Sequence, residues 1–257
     1  MIVIKTEDDL KLMRPACRIA ADVLAEVAAF IQPGVTTKAV DEYAAERMAA
    51  YGARSAFLGY RQFPSHTCLS VNEEVVHGIA GNRVIQFGDL VSVDVGVVYQ
   101  GFIGDNARTV AAGGCDVDSQ RLMDVTERSL HEGISQAVAG NRVVDISRAV
   151  QQCVEANGLS VVREFVGHGV GRKMHEDPQI PNFVEKKSSP VLKPGMTLAI
   201  EPMVNAGVAS VKVLKDRWTV VTQDGKRSAH FEHTVLVTDG APEILTCATT
   251  TLLNSKA

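Results

Sequence analysis

Apolar positions recur at helical spacing from Leu10 through Met13, Ala20, Val23, Leu24 and Val27 to Ile31. Just upstream, Thr6-Glu7-Asp8-Asp9 reads as an N-cap followed by acids in the first turn, so the pattern predicts a helix beginning there. Pro15 falls within it and predicts a kink or an early start. A second helix is predicted from Thr36 or Thr37 through Val40, Tyr43, Ala44, Arg47, Met48 and Tyr51, ending before Gly52. Two more fit Ser119 to Ala139 and Asp145 to Asn157, the last closed by Gly158. Elsewhere the period shortens. Leu90 to Tyr99, Thr197 to Val204, Trp218 to Thr222 and Phe231 to Thr238 are rich in Val, Ile or Thr, are bounded by Gly, Pro or Asp, and read as strands. The order is helix pair, strands, helix pair, strands. It predicts an α+β fold of two similar halves sharing one sheet, not a βαβ repeat.

Composition adds exclusions. The chain has 257 residues, 46% hydrophobic and 22% charged, with no Pro/Ser/Gly-rich linker, so one domain over residues 1–257 is expected. A net charge of −4 and a pI near 6.0 give no electrostatic reason to expect a nucleic-acid substrate. The N-terminus turns acidic after Lys5 and no window approaches eighteen apolar residues, so neither a signal peptide nor a membrane span is expected. The five cysteines are odd in number and lack CxxC spacing, which points to a reducing cytoplasm, with Cys17, Cys115, Cys153 and Cys247 as small core residues.

The acids carry the chemistry. In "LVSVDVGVVYQG" alternation puts Val91, Val93 and Val95 on one face and Ser92, Asp94 and Gly96 on the other. Asp105 in "GFIGDNARTV", Glu201 in "MTLAIEPMV" and Glu232 in "HFEHTVLV" likewise lie in or against apolar runs. One such acid is usually a solvated edge. Four, each in a different run, suggest buried carboxylates, which repel one another unless cations neutralise them. Two divalent ions would balance the charge.

In "GHGVGRKMHEDP", Gly167 to Pro178, two of the seven histidines and three glycines crowd into twelve residues. On a helix His168 and His175 would stand roughly 10 Å apart, too far to share one ion, so at most one is expected to be a ligand. Four carboxylates and one imidazole form an oxygen-rich set that favours Mn2+, Fe2+ or Co2+ and suits water activation by a hydrolase.

These stretches, with "NEEVVHGI" and "DRWTVVTQDGKRSAHFEHTVLVT", resemble the methionine aminopeptidases of type I, in their short bacterial form, over nearly the whole chain. The resemblance implies the pita-bread fold, two pseudo-symmetric α+β halves with a curved antiparallel sheet. It implies a metal-dependent exopeptidase that removes initiator methionine from nascent proteins and peptides with a small second residue, by attack of a hydroxide bridging two divalent ions. Asp94, Asp105, His168, Glu201 and Glu232 would be the metal ligands, with Asp105 and Glu232 bridging. His77 and His175 would flank the scissile amide, and Glu201 would also shuttle protons. Tyr60, Phe63, Cys68, His77, His175 and Trp218 would contact the substrate. A cytoplasmic monomer is expected. The run Glu185-Lys186-Lys187-Ser188-Ser189-Pro190 is expected to be a solvated loop, with a rim contact to nascent peptide or ribosome as the lesser alternative.

The chain departs from the family pattern at Ala80, commonly proline, Ile103, frequently histidine, Met174, usually aromatic, and His230, commonly glutamine. His230 is expected either to substitute quietly or to shift the pH profile by titrating near neutrality. A proline-directed relative of the same fold would use the same ligands but normally carries a further N-terminal domain. A binding protein on this scaffold would have lost ligands that are all present here.

Overall fold

In the computed structural model, which describes residues 1–186 and 188–249, the first predicted helix is α1, Glu7–Phe30. A reciprocal pair sets its start. Thr6 Oγ1 accepts from the Asp9 N–H, and the Asp9 carboxylate accepts from the Thr6 N–H. The helix continues through Pro15 instead of starting at it. Burial of Leu10 and Met13 on one side of the proline, and of Ala16 and Cys17 on the other, offsets a disruption of roughly 3 kcal/mol. Helix α2, Thr37–Ala50, is capped by Thr36 Oγ1, which accepts from the Ala39 N–H.

Strands β1 (Arg54–Ser55), β2 (Cys68–Val71), β3 (Glu74–Val76), β4 (Leu90–Tyr99) and β5 (Phe102–Ala111) follow. The predicted β4 is matched at both ends. It pairs with β5 along its whole length, from Leu90 opposite Ala111 to Tyr99 opposite Phe102, and also with β1 and β2. Val91, Val93, Val95 and Val97 pack in a core with Val23, Val27, Val40 and Met48 of the two helices.

The second half opens with α3, Val117–Ser135, and α4, Val143–Glu155. Both begin two residues before the predicted positions. For α3 the cap is Asp116, whose carboxylate accepts from the Ser119 N–H. For α4 Asp145 sits inside the first turn and accepts from the Arg142 N–H. Helix α3 also stops short of Ala139, because the chain turns back there through bonds from the Ala137 and Val138 N–H groups to the Ile134 and Gln136 carbonyls.

Among the described residues ten short strands follow: β6 (Ser160–Val161), β7 (Gly167–Gly169), β8 (Glu176–Ile180), β9 (Thr197–Ile200), β10 (Met203–Asn205), β11 (Val211–Val213), β12 (Val220–Thr222), β13 (Ser228–His230), β14 (His233–Leu236) and β15 (Glu243–Ile244). The predicted run Thr197 to Val204 is split at Glu201-Pro202, since Pro202 brings no N–H to a ladder. Trp218 stays outside the strand that follows, because Asp216 takes its N–H.

Among the described residues all pairing is antiparallel, and the strands form four sheets: β4 with β1, β2 and β5; β13-β10-β6; β11-β12-β3; and β15-β14-β9-β7-β8. An isolated bridge between Ala107 and Glu232 joins the first sheet to the residues just before β14. A second core, with Leu130, Ile146 and Val150 from α3 and α4, packs under β9 and β14. Of the cysteines expected in the core, Cys17 is buried, Cys115 and Cys153 are half-buried, and Cys247 is exposed because it follows the last strand. No helix among the described residues is long and apolar enough to cross a membrane.

Candidate active site

Ladder register puts the four acids on one surface. Gly96 lies opposite Asp105 and Asp94 opposite Ala107, so Asp94 and Asp105 project from the same face of β4 and β5. Cys68 lies opposite Asp94 and joins them. Ala107 in turn bridges Glu232, whose N–H donates to the Ala107 carbonyl at 2.9 Å. In the other ladder Ala199 lies opposite both His168 and Thr234. Glu201 and Glu232, each two residues from that row, share its face. The Thr234 hydroxyl closes the arrangement by donating to the Asp105 carbonyl at 2.8 Å.

His168 is held between two glycines that cannot be replaced freely. A Cβ on Gly167 would lie 2.4 Å from the Ala199 oxygen, and one on Gly169 would lie 2.2 Å from the Asp177 oxygen. His168 Nδ1 donates to the Gly169 carbonyl at 2.9 Å, which leaves Nε2 with its lone pair. That nitrogen stands 3.4 Å from Glu201 Oε1 and 3.7 Å from Asp105 Oδ2. Asp105, His168 and Glu232 each offer a ligand atom within 4.8 Å of the others.

The electrostatics suit a cation. Asp105, Glu201 and Glu232 are driven well above the ordinary carboxylate range by burial and then by neighbouring carboxylates, Asp94 acting on Asp105, and Asp105 foremost on Glu201 and Glu232. Burial raises Asp94 to about 7. Yet Oδ1 of Asp94, Oδ1 of Asp105, Oε1 of Glu232 and Nε2 of His230 are buried without a hydrogen-bond partner. Buried polar atoms left bare in one place are costly, and a divalent ion would satisfy the carboxylates and relieve their repulsion together. The donor set therefore fits a metal, with oxygen ligands predominating.

His168 and His175 are not apart, as a helix would have put them. The intervening chain is a turn, β7 and β8 pair, and the ring centroids lie 4.3 Å from each other. His175 instead faces Tyr60, whose hydroxyl is 2.9 Å from Nδ1. Burial and then the charge of Arg61 lower its pKa. His77 has the left-handed φ of 59° and is held down to about 4 by burial and then by His175. Such a backbone costs about 1–3 kcal/mol and concentrates at functional sites. The idea that His230 titrates near neutrality is not met: burial, then His77, lowers it to about 3.

Every residue expected at the site lines one cavity of about 240 Å³: Asp94, Asp105, His168, Glu201 and Glu232 with Tyr60, Phe63, Cys68, His77, His175 and Trp218. The ring of Trp218 meets Phe63 edge-on at 5.0 Å and His77 at 6.0 Å. Met174 and His230 also line it. Phe57, Arg61, Val76, Phe165, Val166 and Met203 do so without having been anticipated. Met203 stands two residues from Glu201 and Phe165 two before Gly167, so adjacency to the motifs was the available signal. Arg61 had none. It and Gln62 take positive φ values, 47° and 72°, in a turn that periodicity cannot reveal.

Fold and site together define a metallopeptidase. Residues 11–239 match the profile of Metallopeptidase family M24, and the chain belongs to that family. Within it the similarity is to bacterial methionine aminopeptidases. Methionine aminopeptidase 1 of Bacillus subtilis is 50% identical over 246 residues, spanning 96% of this chain and 99% of that protein. The Escherichia coli methionine aminopeptidase is 42% identical over 247 residues, covering 95% and 94%. A crystal structure of methionine aminopeptidase from Thermotoga maritima matches with a TM-score of 0.93 at 47% identity, over 96% of this chain and 99% of that one. The prolidase of Pyrococcus furiosus shares the fold, with a TM-score of 0.78 at 23% identity, but this chain covers 66% of it.

Proposed function

We propose that the chain is a methionyl aminopeptidase that removes initiator methionine from polypeptides with a small second residue, and that residues 1–257 act as one catalytic unit. The observation carrying this is the cluster of His168 with four carboxylates, Asp105 and Glu232 buried and Asp94 and Glu201 half-buried, with bare oxygens, at one wall of a cavity of about 240 Å³ that aromatic side chains also line. Asp94, Asp105, His168, Glu201 and Glu232 would hold two divalent ions, Mn2+, Fe2+ or Co2+. The ions would supply the acidity that makes water a nucleophile at neutral pH.

Glu201 takes the proton from water and returns it to the departing amine, in keeping with a carboxylate whose proton affinity is raised. We assign the Tyr60 hydroxyl, 2.9 Å from Nδ1, as the donor to a neutral His175, so that the imidazole proton sits on Nε2, free to bond the carbonyl oxygen as it becomes negative. His77, kept neutral and fixed by its backbone, bonds the amide. Phe63, Cys68 and Trp218 hold the methionine side chain, whose thioether suits aromatic and soft surfaces. In a cell the substrates would be nascent chains in the cytoplasm, met by a monomer. A rim contact of the run from Glu185 to Pro190 with nascent peptide or ribosome is a lesser proposal, and Lys187 of that run lies outside the described residues.

The test is hydrolysis of Met-Ala-Ser by chelated protein titrated with each metal. Turnover should appear with at least one ion, fall by about 10²–10⁴ in Glu201→Ala, and exceed turnover of Met-Ile-Ser. Cleavage of Ala-Pro-Ala but not Met-Ala-Ser would replace this reading with a proline-directed one.

A further inference from the structure

A second, larger groove of about 670 Å³ opens from the cavity and shares with it Arg61, Val166, His168 and His175. A polypeptide whose first residue fills the cavity would leave through this groove. Its charges mostly cancel. Lys5 pairs with Glu176 at 2.6 Å, Arg172 with Asp9 at 3.1 Å, and the Met1 amino group with Asp177. Among the described residues two lining cations are left without an ion-pair partner, Arg61 and Lys173.

Both are held at the backbone, and neither tip has an ion-pair partner among the described residues. Arg61 sits in the left-handed turn and lays its guanidinium 5.4 Å from the ring centre of Tyr60, the residue bonded to His175. The Lys173 N–H donates to Glu176 Oε1 at 3.2 Å, so that its carboxylate partner fixes the main chain while the ammonium stays unengaged. Arg61 lies close enough to His175 for its charge to reach the imidazole. Of the two unpaired charges, Arg61 is therefore at the junction of cavity and groove, and Lys173 lies on the groove wall along which the chain beyond the scissile bond passes.

We propose that Arg61 and Lys173 form a carboxylate-selecting subsite for the third and fourth residues of the substrate, an inference that rests on the aminopeptidase reading. An extended chain advances about 3.3–3.6 Å per residue, so these positions lie within reach once the second residue sits at the reacting bond. The ligand is a carboxylate, either an acidic side chain or the free C-terminus of a tripeptide.

C-terminally amidated peptides separate those sources. Metal-loaded protein is given Met-Ala-Xaa-Xaa-Gly-Trp-amide with Asp, Ser or Lys pairs, and Met-Ala-Ser against Met-Ala-Ser-amide. The Asp peptide should exceed the Lys peptide about tenfold in kcat/KM at low salt, mainly through KM, and the ratio should shrink at high salt. A slower Met-Ala-Ser-amide would add the C-terminus as a ligand, whereas equality with the acid form would confine the subsite to side chains. Arg61→Gln with Lys173→Gln should bring the Asp/Lys ratio to about one, and Arg61→Glu with Lys173→Glu should invert it, which a merely damaged enzyme cannot do. Equal rates for Asp and Lys peptides, or a ratio unchanged in the variants, overturn the subsite while leaving the aminopeptidase reading intact. No hydrolysis of the Ser peptide by the parent protein overturns both.

Discussion

His175 stands or falls on one hydroxyl. Among the described residues Tyr60 is its one hydrogen-bond partner, at 2.9 Å, and the two rings stack at 5.5 Å. Tyr60→Phe keeps the stack and removes the bond. A neutral hydrogen bond is worth about 1 kcal/mol net, so kcat should fall roughly fivefold with KM little changed; a KM effect alone would place Tyr60 in binding only. His230 offers a contrasting case. Its Nε2 is buried 3.7 Å from Glu201 Oε2, but with a pKa near 3 the ring is neutral throughout the working range. His230→Gln should therefore leave the shape of the kcat/KM profile between pH 6 and 8 unchanged. A displaced profile limb would show that the imidazole titrates after all.

Elements bring these side chains together, and there the amino-acid pattern was uneven as a guide. Helix α1 and strand β4 were legible because periodicity over many residues and a strong cap agree. Valines of β4 already implied that Asp94 faces away from the helices. The short strands β6, β7 and β8 have too few residues for a period, and β8 holds Pro178. Hence the meeting of His168 with His175 was invisible, since it depends on a turn that pairs Gly169 with Glu176. Glu201 was expected inside one strand from Thr197 to Val204, and the break at Pro202 that leaves it at a strand end is a matter of missing backbone donors. The glycines of β7 are where the element is most exposed to substitution. In Gly169→Ala the new methyl would sit 2.2 Å from a backbone oxygen, and overpacking of this kind costs about 1–3 kcal/mol. Thermal unfolding should show Tm lowered by about 3–10 °C, with weaker metal uptake because His168 shifts. An unaltered Tm would mean that β8 can move away freely.

At the scale of the whole molecule, two opposed sets of buried and half-buried groups govern how pH and metal act on folding. The carboxylates of Asp94, Asp105, Glu201 and Glu232 have folded pKa values above their unfolded ones. The metal-free fold therefore loses stability as pH rises, for Asp94 between about 4 and 7. His77, His168, His230 and His233 have folded values of about 3 to 4. Their contribution is present above the unfolded value near 6.5 and is lost as pH falls. Over pH 4 to 6.5 the two trends oppose each other, so the bare pH dependence of Tm reports only their difference. Metal separates them, because a bound ion requires ionised carboxylates and already finds His168 neutral. An ion at a hundred times its Kd adds about 2.7 kcal/mol, or about 5–10 °C in a chain of this length. That increment, measured by calorimetry with and without Mn2+, should grow from pH 5 to pH 7.5 as the ligands shed their protons. The same titration of Asp105→Asn should show a smaller increment with a weaker pH dependence. An increment independent of pH in the parent protein would mean that these carboxylates are ionised without metal, and that the repulsion between them is relieved by something else.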